Sequence, residues 1–443
     1  MNYYGEIKKK LFDIIEAMEN DPVDFVVNPK KDFTKKRSWT FSKMLKSIIT
    51  MGSGSLSKEI AEFWNEPNTV PTTSSFVQQR AKIKPQAFHY LFKTFTAAVD
   101  KPILFKNYRV FAADGSDFNV FHNPKDQSTY HHPSATEHRG SNMIHLNALF
   151  DIGSGLYMDA IADGREKSNE NASLNEMIDR SDIQEKAIIL ADRNYESYNV
   201  FAHIMEKGWK FVVRAKDITS NGILSALNLP DEEEFDVTID LEITRKNTAE
   251  VRKNRDYFRF ISSTSPFDYL EIGSKDTYPM RLRVIRFKLN EKSDKKYDNY
   301  ECLITNLMSD EASTKNCKKL YNLRWGIETS FRELKYTIGA VCFHTKKTEF
   351  VHQELFARLT LFNYCRTICN RIGKVKSTEK YDYAINFSDA VYICKKFLLS
   401  RKGYTQSNIK NLIQSHILPI KPFKKYPRKM KNKSFIDFNY RLA

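Results

Sequence analysis

Two short runs constrain this chain more than any other feature: Val110-Phe-Ala-Ala-Asp114 and Ala187-Ile-Ile-Leu-Ala-Asp192. Each is too short and too evenly apolar for an amphipathic helix, so each reads as a buried strand ending in a carboxylate. Around them, Met143 to Ile152 and Leu156 to Ala162 form a hairpin across Gly153-Ser-Gly155, where glycines supply the turn. Asn171 to Arg180 and about Ser197 to Lys207 have helical spacing, and Lys210-Phe-Val-Val-Arg-Ala215 is a further strand. The order is three strands, helix, strand, helix, strand.

That order is the one of a ribonuclease-H-like α/β fold, a mixed-sheet core with helices on both sides. In such a sheet the strands ending in Asp114 and Asp192 are neighbours, and ligands collect beyond the carboxyl ends of strands. A third carboxylate on a packed helix closes the site. Three such side chains suit two divalent cations about 4 Å apart, one activating an attacking oxygen and one stabilising a leaving oxygen. Oxygen donors select Mg2+, with Mn2+ able to substitute, over zinc. Asp117 is the main rival to Asp114 and Asp163 a lesser one; Asp114 is preferred because it directly ends the apolar run.

The third carboxylate comes from Tyr321-Asn-Leu-Arg-Trp-Gly-Ile-Glu-Thr-Ser-Phe-Arg-Glu-Leu-Lys335. On one helix, Tyr321, Arg324, Glu328 and Lys335 share a broad face, with Leu320, Trp325, Leu334 and Ile338 supplying apolar contacts. Glu333 stands five residues after Glu328, roughly 140° around the helix, so only one of the two points into a small site. Glu328 is the choice, and Glu333 faces solvent or a basic neighbour. Arg324 and Lys335 are candidate phosphate contacts; the alternative is an ion-pair network with Glu328. Trp209 and Trp325 suit either core packing or stacking on an extruded base. His131, His132 and His138 lie in a polar loop without a metal-ligand pattern.

Charge points to the partner. Lys and Arg total 70 against 54 Asp and Glu, a formal charge of +16, which favours a polyanion such as nucleic acid. Residues 1–100 read as a helical, basic region: a periodic segment from Trp39 to Ile49, a break at Met51-Gly-Ser-Gly-Ser55, and a helix capped by Ser55 or Ser57. Another helix, capped by Ser74 or Ser75, carries Gln78, Gln79, Arg80 and Lys82. Helix, turn, helix with those residues exposed resembles a DNA reader, with Arg80 and Lys82 as contacts. At the other end, Lys421 to Lys433 holds seven basic residues and no acidic one. It suits an extended arm on a phosphate backbone through Lys424, Lys425, Arg428 and Lys429.

The remaining boundaries follow composition. The catalytic core takes residues 101–216 and 306–345, a β-rich insertion takes 217–305, and a helical C-terminal region with its basic tail takes 346–443. All six cysteines lie in the last third with no CxxC pair, which argues for reduced thiols rather than zinc. No run of 18 apolar residues and no leader pattern occur, so a cytoplasmic, DNA-associated protein is expected, with no membrane partner.

At this point the chain resembles a family, the DDE transposases of bacterial insertion sequences, in the subgroup marked by Tyr-x2-Arg-x3-Glu-x6-Lys. Tyr321, Arg324, Glu328 and Lys335 complete that motif. Asp114-Gly-Ser and Asp192-Arg-Asn-Tyr195 look like the family's first and second aspartate segments, which brings in Arg193 as a DNA contact. Tyr300 to Leu307 resembles the strand before the signature helix, and Phe438-Asn-Tyr-Arg441 resembles the family's ending, so the resemblance spans about residues 30 to 441. It implies catalytic and metal-binding roles for Asp114, Asp192 and Glu328, and phosphate contacts by Tyr321, Arg324 and Lys335. It further implies binding of double-stranded DNA at terminal inverted repeats, a homodimer in the synaptic complex, and cut-and-paste transfer into target DNA. The alternatives are a nuclease of the same fold without strand transfer, and a non-catalytic DNA-binding repressor, which would leave three ordered carboxylates unexplained.

Overall fold

The computed structural model describes residues 3–35, 37–133, 140–289, 300–373 and 382–420. Helices open the chain: α1 (Tyr3–Asn20), α2 (Phe41–Thr50), α3 (Leu56–Trp64), α4 (Thr73–Arg80) and α5 (Gln86–Val99). Their starts are set by hydroxyl caps. Thr40, Ser55 and Thr72 accept the N–H groups of Lys43, Lys58 and Ser75, satisfying donors that have no partner inside the helix. The cap of α4 is therefore Thr72, two residues earlier than Ser74.

The sheet comes next, built from β1 (Tyr108–Asn119), β2 (Ser141–Asp151), β3 (Leu156–Gly164), helix α6 (Glu170–Asp179), β4 (Ala187–Ala191), helix α7 (Tyr198–Glu206) and β5 (Lys210–Ala215). The hairpin β2–β3 lies antiparallel on one side of β1, while β4 and β5 run parallel to β1 on the other. This is the mixed ribonuclease-H-like arrangement. The uniform apolarity of β4 follows from its place: Ile188 and Leu190 pack under the later helix that carries Tyr321, while Ala187, Ile189 and Ala191 join the opposite core with α6 and α7.

The next segment is β-rich, with β6 (Phe235–Thr244), β7 (Phe258–Phe260), β8 (Thr277–Lys288) and β9 (Tyr300–Thr305). Its strands do not form a separate sheet. β9 pairs antiparallel with β5, and β8, β6 and β7 extend the core sheet outward from there. Buried arginines paired with more exposed carboxylates hold this extension: Arg283 reaches Asp236 at 2.6 Å, and Arg286 reaches Asp217 at 2.9 Å.

Helices then return as α8 (Thr314–Leu323), α9 (Trp325–Arg332), α10 (Thr348–Ile372) and α11 (Phe387–Leu398). Helix α10 is buried nearly all round, packing on α5, α2 and β3, and it joins the N-terminal helices to the sheet. Among the described residues, no helix is long and apolar enough to cross a membrane. The six cysteines are free and buried.

Candidate active site

Asp114 and Asp192 reach one level from adjacent parallel strands. β1 and β4 pair with Ala112 opposite Leu190, and each aspartate stands two residues further on. Beyond that point the strands differ. β4 ends at Ala191, and Asp192 caps a short turn, its Oδ1 accepting the Asn194 N–H at 2.8 Å. β1 continues to Asn119 against β2, so Asp114 lies within a strand and not at its end. The apolar run stops at Asp114, while the backbone pairing runs on.

The segment from Tyr321 to Lys335 is not one regular helix. α8 closes at Leu323, α9 opens at Trp325, and a π-helical turn occupies Glu333–Thr337. The wider turn rotates the succeeding residues relative to an α-helix, a distortion common where function asks for a particular side-chain direction. Gly339, at φ +95°, ends it.

Arg324 draws the cluster together. It is only 6% exposed, and its guanidinium stands 2.7 Å from Glu328 Oε1 and 3.5 Å from Asp114 Oδ2. The rings of Trp325 and Tyr321 lie 5.0 and 5.8 Å from it. Burial pushes the Asp114 carboxyl up to about 7; the Gly115 N–H and Arg324 oppose the rise, and the charges of Asp192 and Glu328 add to it. Asp114 thus feels the charges of both Asp192 and Glu328, with one buried arginine partly offsetting them.

The other expected residues divide sharply. Lys335 places its ammonium 4.8 Å from the Phe118 ring and acts on the charge of Asp117. Arg193 is exposed directly after Asp192. Tyr321 is buried in the core beneath β4 and β9, so its ring is chiefly a packing element. Asp117 is engaged by His145 at 2.6 Å and Arg165 at 3.3 Å. Asp163 is exposed on β3. Glu333 pairs with Arg366 of α10, away from Glu328. Trp209 packs against Phe111 in the core, whereas Trp325 is 45% exposed beside Arg324. His131 pairs with Glu166, and His138 lies outside the described residues.

Arg80 is a correction. Sequence spacing puts it on an exposed reading surface, yet it is 2% exposed and bound to Glu354 at 2.8 Å, Gln353 at 2.7 Å and the Phe350 carbonyl. Its charge serves to tie α4 to α10, because a buried guanidinium requires a carboxylate and several acceptors. Gln79 is buried too, and Lys82 is half-buried, donating to Gln79. Lys424, Lys425, Arg428, Lys429 and the ending Phe438 to Arg441 lie outside the described residues.

Sequence reasoning misses His145 and Glu170. The signal is faint: alternation along Met143 to Ile152 puts His145 and Asn147 on one face of an otherwise apolar strand.

A family model described as the transposase DDE domain matches residues 106–364, more than half of the chain. A search of curated proteins finds no match. Among solved structures, the cryo-EM structure of the piggyBac transposase synaptic complex with hairpin DNA is similar at 12% identity and a TM-score of 0.42, covering 91% of this chain and 82% of that one. The span matched by the family model takes in Asp114, Asp192 and Glu328 together. The chain belongs to the transposase DDE domain family and is a DDE-type transposase enzyme, a class whose chemistry is metal-dependent.

Proposed function

We propose that this transposase binds the terminal inverted repeats of its element as double-stranded DNA, cleaves the ends and joins them to target DNA in a cut-and-paste reaction. The observation that carries this reading is that Arg324 bridges Asp114 and Glu328, while Asp192 stands at the same level on the neighbouring strand and acts on Asp114 by its charge. The complete Tyr321, Arg324, Glu328, Lys335 spacing supports membership of the insertion-sequence subgroup.

The donor set fits Mg2+ or Mn2+. It is all oxygen, and burial, with the charges of Asp192 and Glu328 adding to it, pushes Asp114 up to about 7, a cost to the ionised carboxylate that a divalent cation would relieve. Among the described residues, no three such side chains are gathered closely enough to enclose an ion. Arg324 stands between Asp114 and Glu328 instead. Asp114, Asp192 and Glu328 would hold two ions, whose chemistry would be to activate the attacking oxygen and stabilise the leaving oxygen of an in-line displacement.

The protein's own groups do the rest. Arg324 would turn from the carboxylates towards a DNA phosphate, its planar fork suiting two phosphate oxygens. Lys335, beside Phe118 and Asp117, and Arg193, exposed next to Asp192, would hold the DNA backbone. Two protomers, one for each DNA end, would form the synaptic complex. The test uses labelled end DNA with Mg2+ and a target duplex. Cleavage and then joined product are expected, and both should vanish in Asp114→Asn. Cleavage without joining would make the chain a nuclease, and binding without cleavage a repressor.

A further inference from the structure

His145 sits in a second charged layer immediately beside the carboxylate cluster. It lies on β2, 3% exposed, with Nδ1 2.6 Å from Asp117 Oδ1 and Nε2 3.0 Å from Glu170 Oε1. Burial alone would lower its pKa, but the hydrogen bond to Asp117 and the charges of Asp117 and Glu170 push it up to about 9. The ring is therefore an imidazolium at neutral pH, fixed between two carboxylates from β1 and the first turn of α6.

The ring lies against Gly115. A Cβ at that position would fall 2.2 Å from His145 Nε2 and 2.7 Å from Glu170 Oε1, so only glycine permits the approach. Gly115 in turn donates its N–H to Asp114 Oδ1 at 2.8 Å. One unbroken series of contacts runs from Glu170 and Asp117 through His145 and Gly115 to the Asp114 carboxylate. Asp117 also feels the charge of Lys335, which joins the π-helical turn to the same layer.

We propose that His145, clamped by Asp117 and Glu170, is a positioning residue that sets the Asp114 carboxylate through the Gly115 N–H. It rests on the reading of Asp114 as a catalytic metal-binding carboxylate. Supporting groups of this kind typically change metal affinity or activity by about ten- to a hundredfold when removed.

The experiment is single-turnover cleavage of labelled end DNA by the full chain across an Mn2+ titration, with end binding measured by gel shift. His145→Gln should slow cleavage about ten- to a hundredfold and raise the Mn2+ concentration for half-maximal rate, with end binding unchanged. Adding Glu170→Gln removes the carboxylate left uncompensated and should recover part of the loss. A purely packing role would not be rescued by that second change. A double variant no better than the single one, or normal cleavage and Mn2+ dependence in His145→Gln, overturns the proposal. Should His145→Gln fail to fold by circular dichroism, Glu170→Ala frees one side of the ring and should shift the Mn2+ curve the same way; an unshifted curve overturns it. Asp114→Asn runs alongside: if it cleaves, the underlying reading falls, whereas a dead Asp114→Asn beside an unaffected His145→Gln sinks the positioning role alone.

Discussion

Replacing Asp114 by asparagine should remove cleavage and yet stabilise the metal-free protein. The Asp114 side chain is 21% exposed, and burial beside Asp192 and Glu328 raises its pKa from 3.8 to about 7. At ~1.4 kcal/mol per tenfold change, the ionised carboxylate destabilises the folded state by at most ~4 kcal/mol above neutrality. Partial solvation and relaxation reduce this, so a gain of about 1–3 kcal/mol is expected for Asp114→Asn near pH 8. The sign comes from proton counts. Well below 3.8 the carboxyl is protonated in both states, and the penalty is absent. Between 3.8 and about 7 the unfolded chain ionises first, so wild-type stability falls as pH rises; above about 7 the penalty is constant. Urea denaturation of both proteins in chelator, at about pH 4 and about pH 8, measures the difference. Added Mg2+ should stabilise the wild type at the higher pH and leave Asp114→Asn nearly unchanged. A gain equal at both pH values, or a loss near pH 8, would refute the account of a charge-stressed site.

Glu328→Gln should abolish cleavage, whereas Glu333→Gln, which removes only the partner of Arg366, should stay within about tenfold of wild type, ~1.4 kcal/mol of barrier. Cleavage assays on both settle which glutamate serves the site, and a dead Glu333→Gln beside an active Glu328→Gln would reverse the assignment. Arg80→Ala leaves the fully buried Glu354 short of a partner and should cost about 3–5 kcal/mol of stability. Its DNA-binding salt slope, measured on folded protein, should be unchanged; a shallower slope would restore Arg80 as a phosphate contact. Truncation after Ile420 should weaken DNA binding and flatten the salt slope, since fewer phosphate contacts release fewer counterions on binding. An equal slope in a folded truncation would remove the tail from the interface.

How much of this was legible in the sequence depends on the range of the interactions involved. Burial on both faces leaves an unbroken apolar run, so β4 could be read directly, and the run's stop at Asp192 marks where the chain leaves the sheet. The same signal misplaced the end of β1, because apolarity reports what covers a strand and hydrogen bonding to β2 reports how long it is. The segment after residue 217 reads as β-rich, but nothing local says which edge its strands join, and they extend the core sheet from β5. Hydroxyl caps were nearly right because capping is decided within three residues.

Arg80 shows where local reading stops. A charged residue on a short helix belongs in water by default, and the carboxylate that overturns this lies 274 positions away. Glu354 then binds Arg358, whose guanidinium also reaches the Gly339 and Cys342 carbonyls at the end of the π-helical turn. Burial would raise the Glu354 pKa, yet Arg80, His344 and Arg358 hold it well below the usual carboxylate range, so this network stays charged across physiological pH. One carboxylate thus joins the N-terminal helices to the backbone that ends the Glu328-bearing segment. Such pairing has no periodicity and no spacing rule, because it is a compensation forced by packing two regions together. A charge that periodicity assigns to the surface is an argument about DNA only once its long-range partner has been excluded; Arg80 is buried on such a partner, whereas Arg193 is exposed beside Asp192.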